Sequence, residues 1–343
     1  MKRLLNTLYV TGKNRYLSLD GENVVISDKQ EEIGRIPLHN LQGIVTFGYT
    51  GASPALMGVC AERNIELTFM SGNGRFLARV TGEVKGNVIL RKQQYRISEN
   101  PYESICYARN FITGKVYNSR WILERAIRDY PMRVDRERLK EKSHFLYQSL
   151  ENIRSCEDSS ILLGLEGEAA SVYFSVFDEL ILQQKDSFYF HGRNKRPPLD
   201  RVNAMLSFAY SLLAGMCGSA LEGVGLDPYV GFYHADRPGR ISLALDLMEE
   251  LRGVMADRFV LTMINKRVMK ETHFIEKEDG AVLLNDAGRK VFLSAWQERK
   301  QEMIRHPFLN EKLEWGMIPH AQAMLLARCI RGDLDEYPPF LWK

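Results

Sequence analysis

The chain has 343 residues, 45% hydrophobic and 26% charged, an ordinary globular composition that is long enough for two domains or one large one. Its 46 basic and 43 acidic side chains leave a formal charge of +3, too small to argue for nucleic acid unless the basic residues are locally concentrated. No run approaches the roughly 18 to 20 consecutive apolar residues of a membrane span.

The opening Met1-Lys2-Arg3-Leu4-Leu5-Asn6 starts like a signal peptide, but Asn6, Thr7 and Thr11 interrupt any apolar core. The five cysteines (60, 106, 156, 217 and 329) form no Cys-x-x-Cys pair and are odd in number. That argues against a disulfide framework or zinc site and fits a reducing cytoplasm.

The first ~85 residues read as strands. Tyr16–Leu19 and Asn23–Ile26 flank Asp20-Gly21, a hairpin signal. Further strand runs follow at Gly34–Leu38, Gly43–Phe47, Glu66–Met70 and Arg75–Val80, with Ser71-Gly72-Asn73-Gly74 as a turn. Between them Ser53 as N-cap and Pro54 at the first helical position begin a short helix. From about Asn100 the period becomes helical: Asn100–Arg128, Asp135–Ile153, Leu162–Gln184, Leu199–Ala220, Ser242–Asn265 and Asp286–Ile304. Tyr337-Pro338-Pro339-Phe340-Leu341-Trp342 reads as a short extended arm. The expected architecture is α+β, with a small N-terminal β-rich domain (1–90) before a larger all-α catalytic domain (91–343). The border falls between about Gly82 and Asn100.

Stepping by three and four from Glu166 gives Ala169, Ala170, Tyr173, Phe177 and Leu180, an apolar face, whereas Glu168 leads to Ser171, Ser175 and Glu179. Glu166 therefore points inward, where a carboxylate must be paired, protonated or metal-bound. The plain alternative is an ion pair with an arginine. Gly164 and Gly167 leave room for another backbone or a phosphate. Asp246 and Glu249 share a helical face that continues to the small or apolar Gly253, Ala256 and Val260. His234 precedes them in a loop rich in glycine and proline, where a histidine by itself is commonly structural or exposed.

Two carboxylates and an imidazole together make a mixed oxygen and nitrogen donor set. It suits Mg²⁺, or Mn²⁺ given the imidazole, and with it phosphoryl transfer. Arg193, Lys195, Arg196 and Arg201 cluster around Pro197-Pro198, a candidate phosphate-contacting segment or else a solvated charge run. The absence of Gly-x-Ser-x-Gly, Walker and His-Glu-x-x-His motifs leaves serine-hydrolase, P-loop and zincin chemistry unsupported.

Over nearly its whole length the chain resembles the universal integrase of CRISPR adaptation, in particular the version of subtype I-C systems. The runs that carry the resemblance are Gly51–Met57, Leu163–Gly167, Pro198–Ala204, Gly225–His234, Asp236-Arg237-Pro238-Gly239-Arg240 and Leu243–Glu249. The resemblance implies metal ligation by Glu166, His234 and Glu249, with Glu249 standing where many relatives carry aspartate. Asp246 takes a supporting catalytic role, and Arg237 joins the DNA-binding candidates. It further implies a homodimer formed largely through the β-domains, a small CRISPR-associated adaptation partner, and double-stranded DNA as both pre-spacer and repeat. The reaction implied is attack by a DNA 3′-hydroxyl on a phosphodiester at the repeat edge. A structure-selective DNA or RNA nuclease and a non-catalytic DNA-binding scaffold are the competing readings.

Overall fold

The computed structural model describes residues 7–11, 15–29, 31–41, 43–48, 50–63, 65–71, 76–80, 82 and 87–343. The opening hexapeptide and residues 72–74 of the expected turn lie outside them.

The chain begins with β1 (Thr7–Thr11), β2 (Arg15–Asp20), β3 (Asn23–Asp28), β4 (Glu31–Pro37), β5 (Gly43–Phe47), β6 (Gly51–Ala52), α1 (Pro54–Glu62), β7 (Glu66–Met70) and β8 (Phe76–Val80). One sheet has the order β1-β5-β7-β8, parallel except for the antiparallel last pair. The other runs β4-β3-β2-β6, and its β2–β3 hairpin pairs Asp20 with Asn23 as the Asp-Gly signal requires. Ser53 caps α1 by accepting from the Leu56 amide at 3.2 Å, with Pro54 opening the helix. Val10, Leu17, Val24, Leu38, Ile44, Leu56 and Leu67 form the core of this part, all 3% exposed or less.

Helices follow: α2 (Val88–Glu99), α3 (Pro101–Asp129), α4 (Arg136–Ser155), α5 (Ser159–Phe174), α6 (Arg201–Gly223), α7 (Ser242–Leu251) and α8 (Arg258–Asn265). Then come β9 (Phe274–Glu276), β10 (Val282–Leu284), α9 (Asp286–Gln301), β11 (Met303–Arg305), β12 (Lys312–Glu314) and α10 (Ile318–Ile330). The architecture is the expected one, a β-rich N-terminal part before a helical one, with short ribbons β9–β10 and β11–β12 added.

Two compact units result: Met1–Lys85 with Thr272–Ile275 and Leu283–Glu302, and Gly86–Glu271 with Glu276–Val282 and Met303–Lys343. The border expected near residue 90 is thus not one cut in the chain. Helix α9 returns to the first unit, where it packs against β1 and Lys300 donates to the Thr7 hydroxyl at 2.9 Å.

Three expected helices need correction. The run expected to Gln184 stops at Phe174, and Phe177–Leu180 forms a 3₁₀ turn before Gln184 adopts φ +56°. The run expected to Ile304 stops at Gln301 because Met303–Arg305 pairs as a strand with Lys312–Glu314. The helix expected over Ser242–Asn265 is broken by a π-helical turn, Arg252–Asp257. α6 has the length and hydropathy of a membrane-crossing helix, but 61% of its apolar window is buried within the protein, as in a core helix. The arm after residue 336 is non-helical, as expected, and lies against the protein, with Tyr337 and Phe340 buried.

Candidate metal centre

The site is built on α3, α5, α7 and the loop before α7, all in the second unit. α7 is almost wholly buried because its leucines face in on most sides, so its acids are carried inward with them: Asp246, Glu249 and Glu250 are each 2% exposed or less. Asp246 makes no contact with solvent. It accepts hydrogen bonds from three successive amides, Phe232 (2.7 Å), Tyr233 (3.0 Å) and His234 (2.9 Å), and meets the His234 Nδ1 at 2.7 Å. A carboxylate at Nδ1 makes that nitrogen the donor and leaves the Nε2 lone pair free. Nε2 lies 3.8 Å from Glu249 Oε1. Only glycine fits at 231, since a Cβ there would stand 2.8 Å from the Ser242 Cβ and 2.9 Å from Asp246 Oδ2.

Glu166 on α5 points inward as expected, its side chain 17% exposed, and Glu168 faces solvent. Among the described residues a Cβ at Gly164 or Gly167 would meet nothing within 4 Å, so none of their backbone packs there. The structure also contains the ion pair left open by the sequence, but with a lysine. Lys115 of α3 hydrogen-bonds Glu166 Oε1 and lies 2.8 Å from Glu249 Oε2. Tyr233 donates to Glu166 Oε2 at 3.4 Å.

The face of α7 expected to continue only with small or apolar residues also carries Arg252, whose guanidinium is 3.1 Å from Glu249 Oε1. Burial works to raise the Glu249 pKa, but Arg252, Lys115 and His234 outweigh it and hold the carboxyl at about 2. It is therefore an anion at any working pH.

Among the described residues no three His, Cys, Asp or Glu side chains converge closely enough to hold an ion as they stand. The donor chemistry nevertheless fits a divalent cation: two carboxylates, a histidine whose free Nε2 is oriented by an acid, and an orphaned buried atom. That atom is Glu249 Oε2, to which no donor points in hydrogen-bond geometry although Lys115 Nζ is near. The Lys115 ammonium is the cation these carboxylates hold.

A pocket of about 110 Å³ adjoins the site, lined by Lys115, Arg193, Lys195, Tyr210, Arg252 and Asp257 among others. The π turn brings Arg252 and Asp257 to the same wall. Both Arg193 and Arg252 lie over the Tyr210 ring, at 5.3 and 5.1 Å. Tyr210 and Tyr173 donate to Asp257 at 2.6 and 3.1 Å, yet burial raises its pKa to about 6.

The sequence-derived basic residues divide into two groups. Arg193 donates to the Asn203 side chain at 2.6 Å and to Ser207 at 3.1 Å, which ties its loop to α6. Arg201 is bound to the Ser187 carbonyl at 2.8 Å and to Glu271. Lys195, Arg196 and Arg237 are exposed, and among the described residues none makes a side-chain hydrogen bond or ion pair. Burial, and then Arg252, Arg193 and Arg196, lower the Lys195 pKa and outweigh the raising pull of Glu249.

Arg252 was legible, three residues beyond Glu249 on the same face. Lys115, some fifty residues before Glu166 on another helix, carries no local signal, and neither does the Tyr210–Asp257 pair.

Residues 8–298 match the family described as CRISPR associated protein Cas1. The chain belongs to the Cas1 family. It is 50% identical over 343 residues to the CRISPR-associated endonuclease Cas1 1 of Chlorobaculum tepidum, with all of both chains covered. Its fold is similar to that of a casposase bound to integration product, with TM-score 0.84 at 22% identity over 99% of this chain and 95% of that one. It is also similar to a chain of a Cas6-RT-Cas1–Cas2 complex, with TM-score 0.84 at 20% identity, covering all of this chain and 36% of that one.

Proposed function

We propose that the protein is a metal-dependent DNA integrase and endonuclease of CRISPR adaptation, joining the 3′-hydroxyl of a short DNA fragment to a phosphodiester at a repeat edge. The observation that carries this reading is that Glu166 and Glu249 share the Lys115 ammonium while His234 Nε2 lies 3.8 Å from Glu249, beside a pocket lined by Lys195 and Arg252. Family membership supports it, as does a fold shared with a casposase captured with its integration product. We extend the reading to subtype I-C on the sequence runs that resemble that version, and to a reducing cytoplasm on five free thiols.

Glu166, His234 and Glu249 would hold Mg²⁺ or Mn²⁺, which when bound supplies charge neutralisation at the phosphodiester. Asp246 fixes the imidazole so that Nε2 faces Glu249, while Arg252 keeps Glu249 anionic and oriented. Lys195, and the Arg252 Nε that has no acceptor, present positive charge where a DNA phosphate would enter. Arg196 and Arg237 would contact the backbone further out. Arg193 and Arg201 serve by shaping the loop and the start of α6. As the chemistry is phosphoryl transfer, water in place of the 3′-hydroxyl gives strand cleavage at the same site. The partners in this reading are double-stranded DNA, a second copy joined through the β-rich unit, and a small adaptation protein of the kind named Cas2 in the related complex.

The Lys115 ion pair favours the scaffold reading, in which the acids are structural. A strand-transfer assay separates the two, using a duplex with free 3′-hydroxyls, a repeat-bearing supercoiled plasmid, Mn²⁺ or EDTA, and the small partner present or absent. The integrase reading expects metal-dependent joining that Glu166→Ala abolishes while DNA binding survives. Cutting without joining would support the nuclease. Full activity in Glu166→Ala or His234→Ala would refute the assignment.

A further inference from the structure

Resting on the metal-site reading above, we infer that Lys115 is a resident counter-ion that occupies the metal position in the metal-free protein and is exchanged for the divalent cation. The ammonium bridges the two carboxylates assigned to the ion, hydrogen-bonded to Glu166 Oε1 and 2.8 Å from Glu249 Oε2. Its side chain is 13% exposed and that of Glu249 only 3%. Two anions held together in so dry a place repel one another unless a cation stands between them. Arg252 does not fill that place, because its guanidinium engages the other Glu249 oxygen, Oε1.

The bridge is also uneven: Lys115 meets hydrogen-bond geometry at Glu166 Oε1, whereas at the buried Glu249 Oε2 it stands at ion-pair distance outside that geometry. An ammonium only donates, and while it spans the two carboxylates the imidazole lone pair at Nε2 goes unused. A divalent ion accepts electron pairs from all three donors. A lysine, with a flexible four-carbon stem, can withdraw without moving the helix backbone. Lys115 also lines the adjoining pocket, which gives its ammonium a place to go, with the Asp257 carboxylate on the same lining.

The exchange predicts that the metal competes with a charge already present, so removing that charge strengthens metal binding. The sign separates this role from a structural one, since a lysine that merely braced the site would weaken binding when removed. The test is calorimetric titration of Mn²⁺ into metal-free, full-length wild type, Lys115→Met and Lys115→Gln. Circular dichroism melts without metal confirm that each is folded. Lys115→Met keeps the apolar stem and should bind Mn²⁺ at least tenfold more tightly, with a larger metal-induced rise in Tm. Lys115→Arg, which keeps the charge, should bind no more tightly than wild type. Wild-type binding with unchanged or weaker affinity in folded Lys115→Met and Lys115→Gln overturns the exchange alone. No Mn²⁺ binding by any of the proteins overturns the metal-site reading with it.

Discussion

Asp246 offers a demanding test of the site, because its two carboxylate oxygens accept from four N–H groups of one loop. Oδ2 serves the Phe232 and Tyr233 amides, and Oδ1 serves the His234 amide and its Nδ1. Asp246→Asn preserves the shape but turns one oxygen into a donor. Set against the Phe232 and Tyr233 amides, the new NH₂ would oppose two fixed donors. Set against His234, it opposes only one fixed donor, because the imidazole can shift its proton to Nε2 and accept at Nδ1. The second arrangement is the cheaper. Its cost is about one hydrogen bond to a charged acceptor plus one unsatisfied buried amide, roughly 2.5 to 6 kcal/mol. Its further consequence is a protonated Nε2, which has no lone pair for a metal. Loss of such an orienting partner lowers metal affinity by about 10- to 100-fold. Urea unfolding reads the stability, ¹⁵N NMR of the imidazole in metal-free protein reads the tautomer, and Mn²⁺ calorimetry reads the affinity. A variant with wild-type stability, the proton still on Nδ1 and undiminished Mn²⁺ affinity would show that Asp246 does not orient the imidazole.

Three further outcomes follow from other parts of the structure. Gly114→Ala sets a methyl 2.6 Å from the Glu250 Cβ and 3.3 Å from the Pro339 Cβ, so overpacking should cost about 1 to 3 kcal/mol in urea unfolding, and an unchanged midpoint would contradict that packing. Lys195→Ala with Arg196→Ala should weaken duplex binding and reduce the salt slope by about one for each phosphate no longer neutralised, read by fluorescence anisotropy across a salt series. Arg201→Ala, which breaks the bonds to Ser187 and Glu271, should lower stability and leave that slope alone; a flattened slope would return Arg201 to the DNA interface.

Asp257 predicts a pH dependence. Its folded pKa of about 6 lies above its ordinary 3.8, so its contribution is fully present below 3.8 and is lost as pH rises through about 6. The difference of about two units is worth at most roughly 3 kcal/mol. Asp257→Asn should remove that fall, so the gap between variant and wild type should move in the variant's favour from about pH 4 to about pH 7. A gap independent of pH would show that Asp257 does not titrate there.

The strands and most helices were legible because their signals are local. The Asp20-Gly21 turn, the Ser53-Pro54 start and the buried stripe of α7 each fix an element from within one short window. The helix ends at Phe174 and Gln301 were not, because what stops them is set elsewhere: a 3₁₀ turn over Phe177–Leu180 in one case and a strand pairing of Met303–Arg305 with Lys312–Glu314 in the other. The inward turn of Glu166 followed from helical period alone. Its partner did not, because Lys115 reaches it by the packing of α3 against α5, a tertiary fact. The same limit applies to the bonds of Arg193 to the Asn203 side chain and of Arg201 to the Ser187 carbonyl, partners that no local pattern in the sequence announces.

Whether Glu166, His234 and Glu249 are the ligands of one divalent ion is decided by anomalous diffraction from crystals of the protein soaked in Mn²⁺. A single strong manganese peak is expected within coordination distance of a Glu166 oxygen, His234 Nε2 and a Glu249 oxygen, with the Lys115 ammonium displaced from between the carboxylates. A peak elsewhere, or saturating Mn²⁺ with Lys115 still bridging Glu166 and Glu249 and no peak beside them, would contradict that assignment.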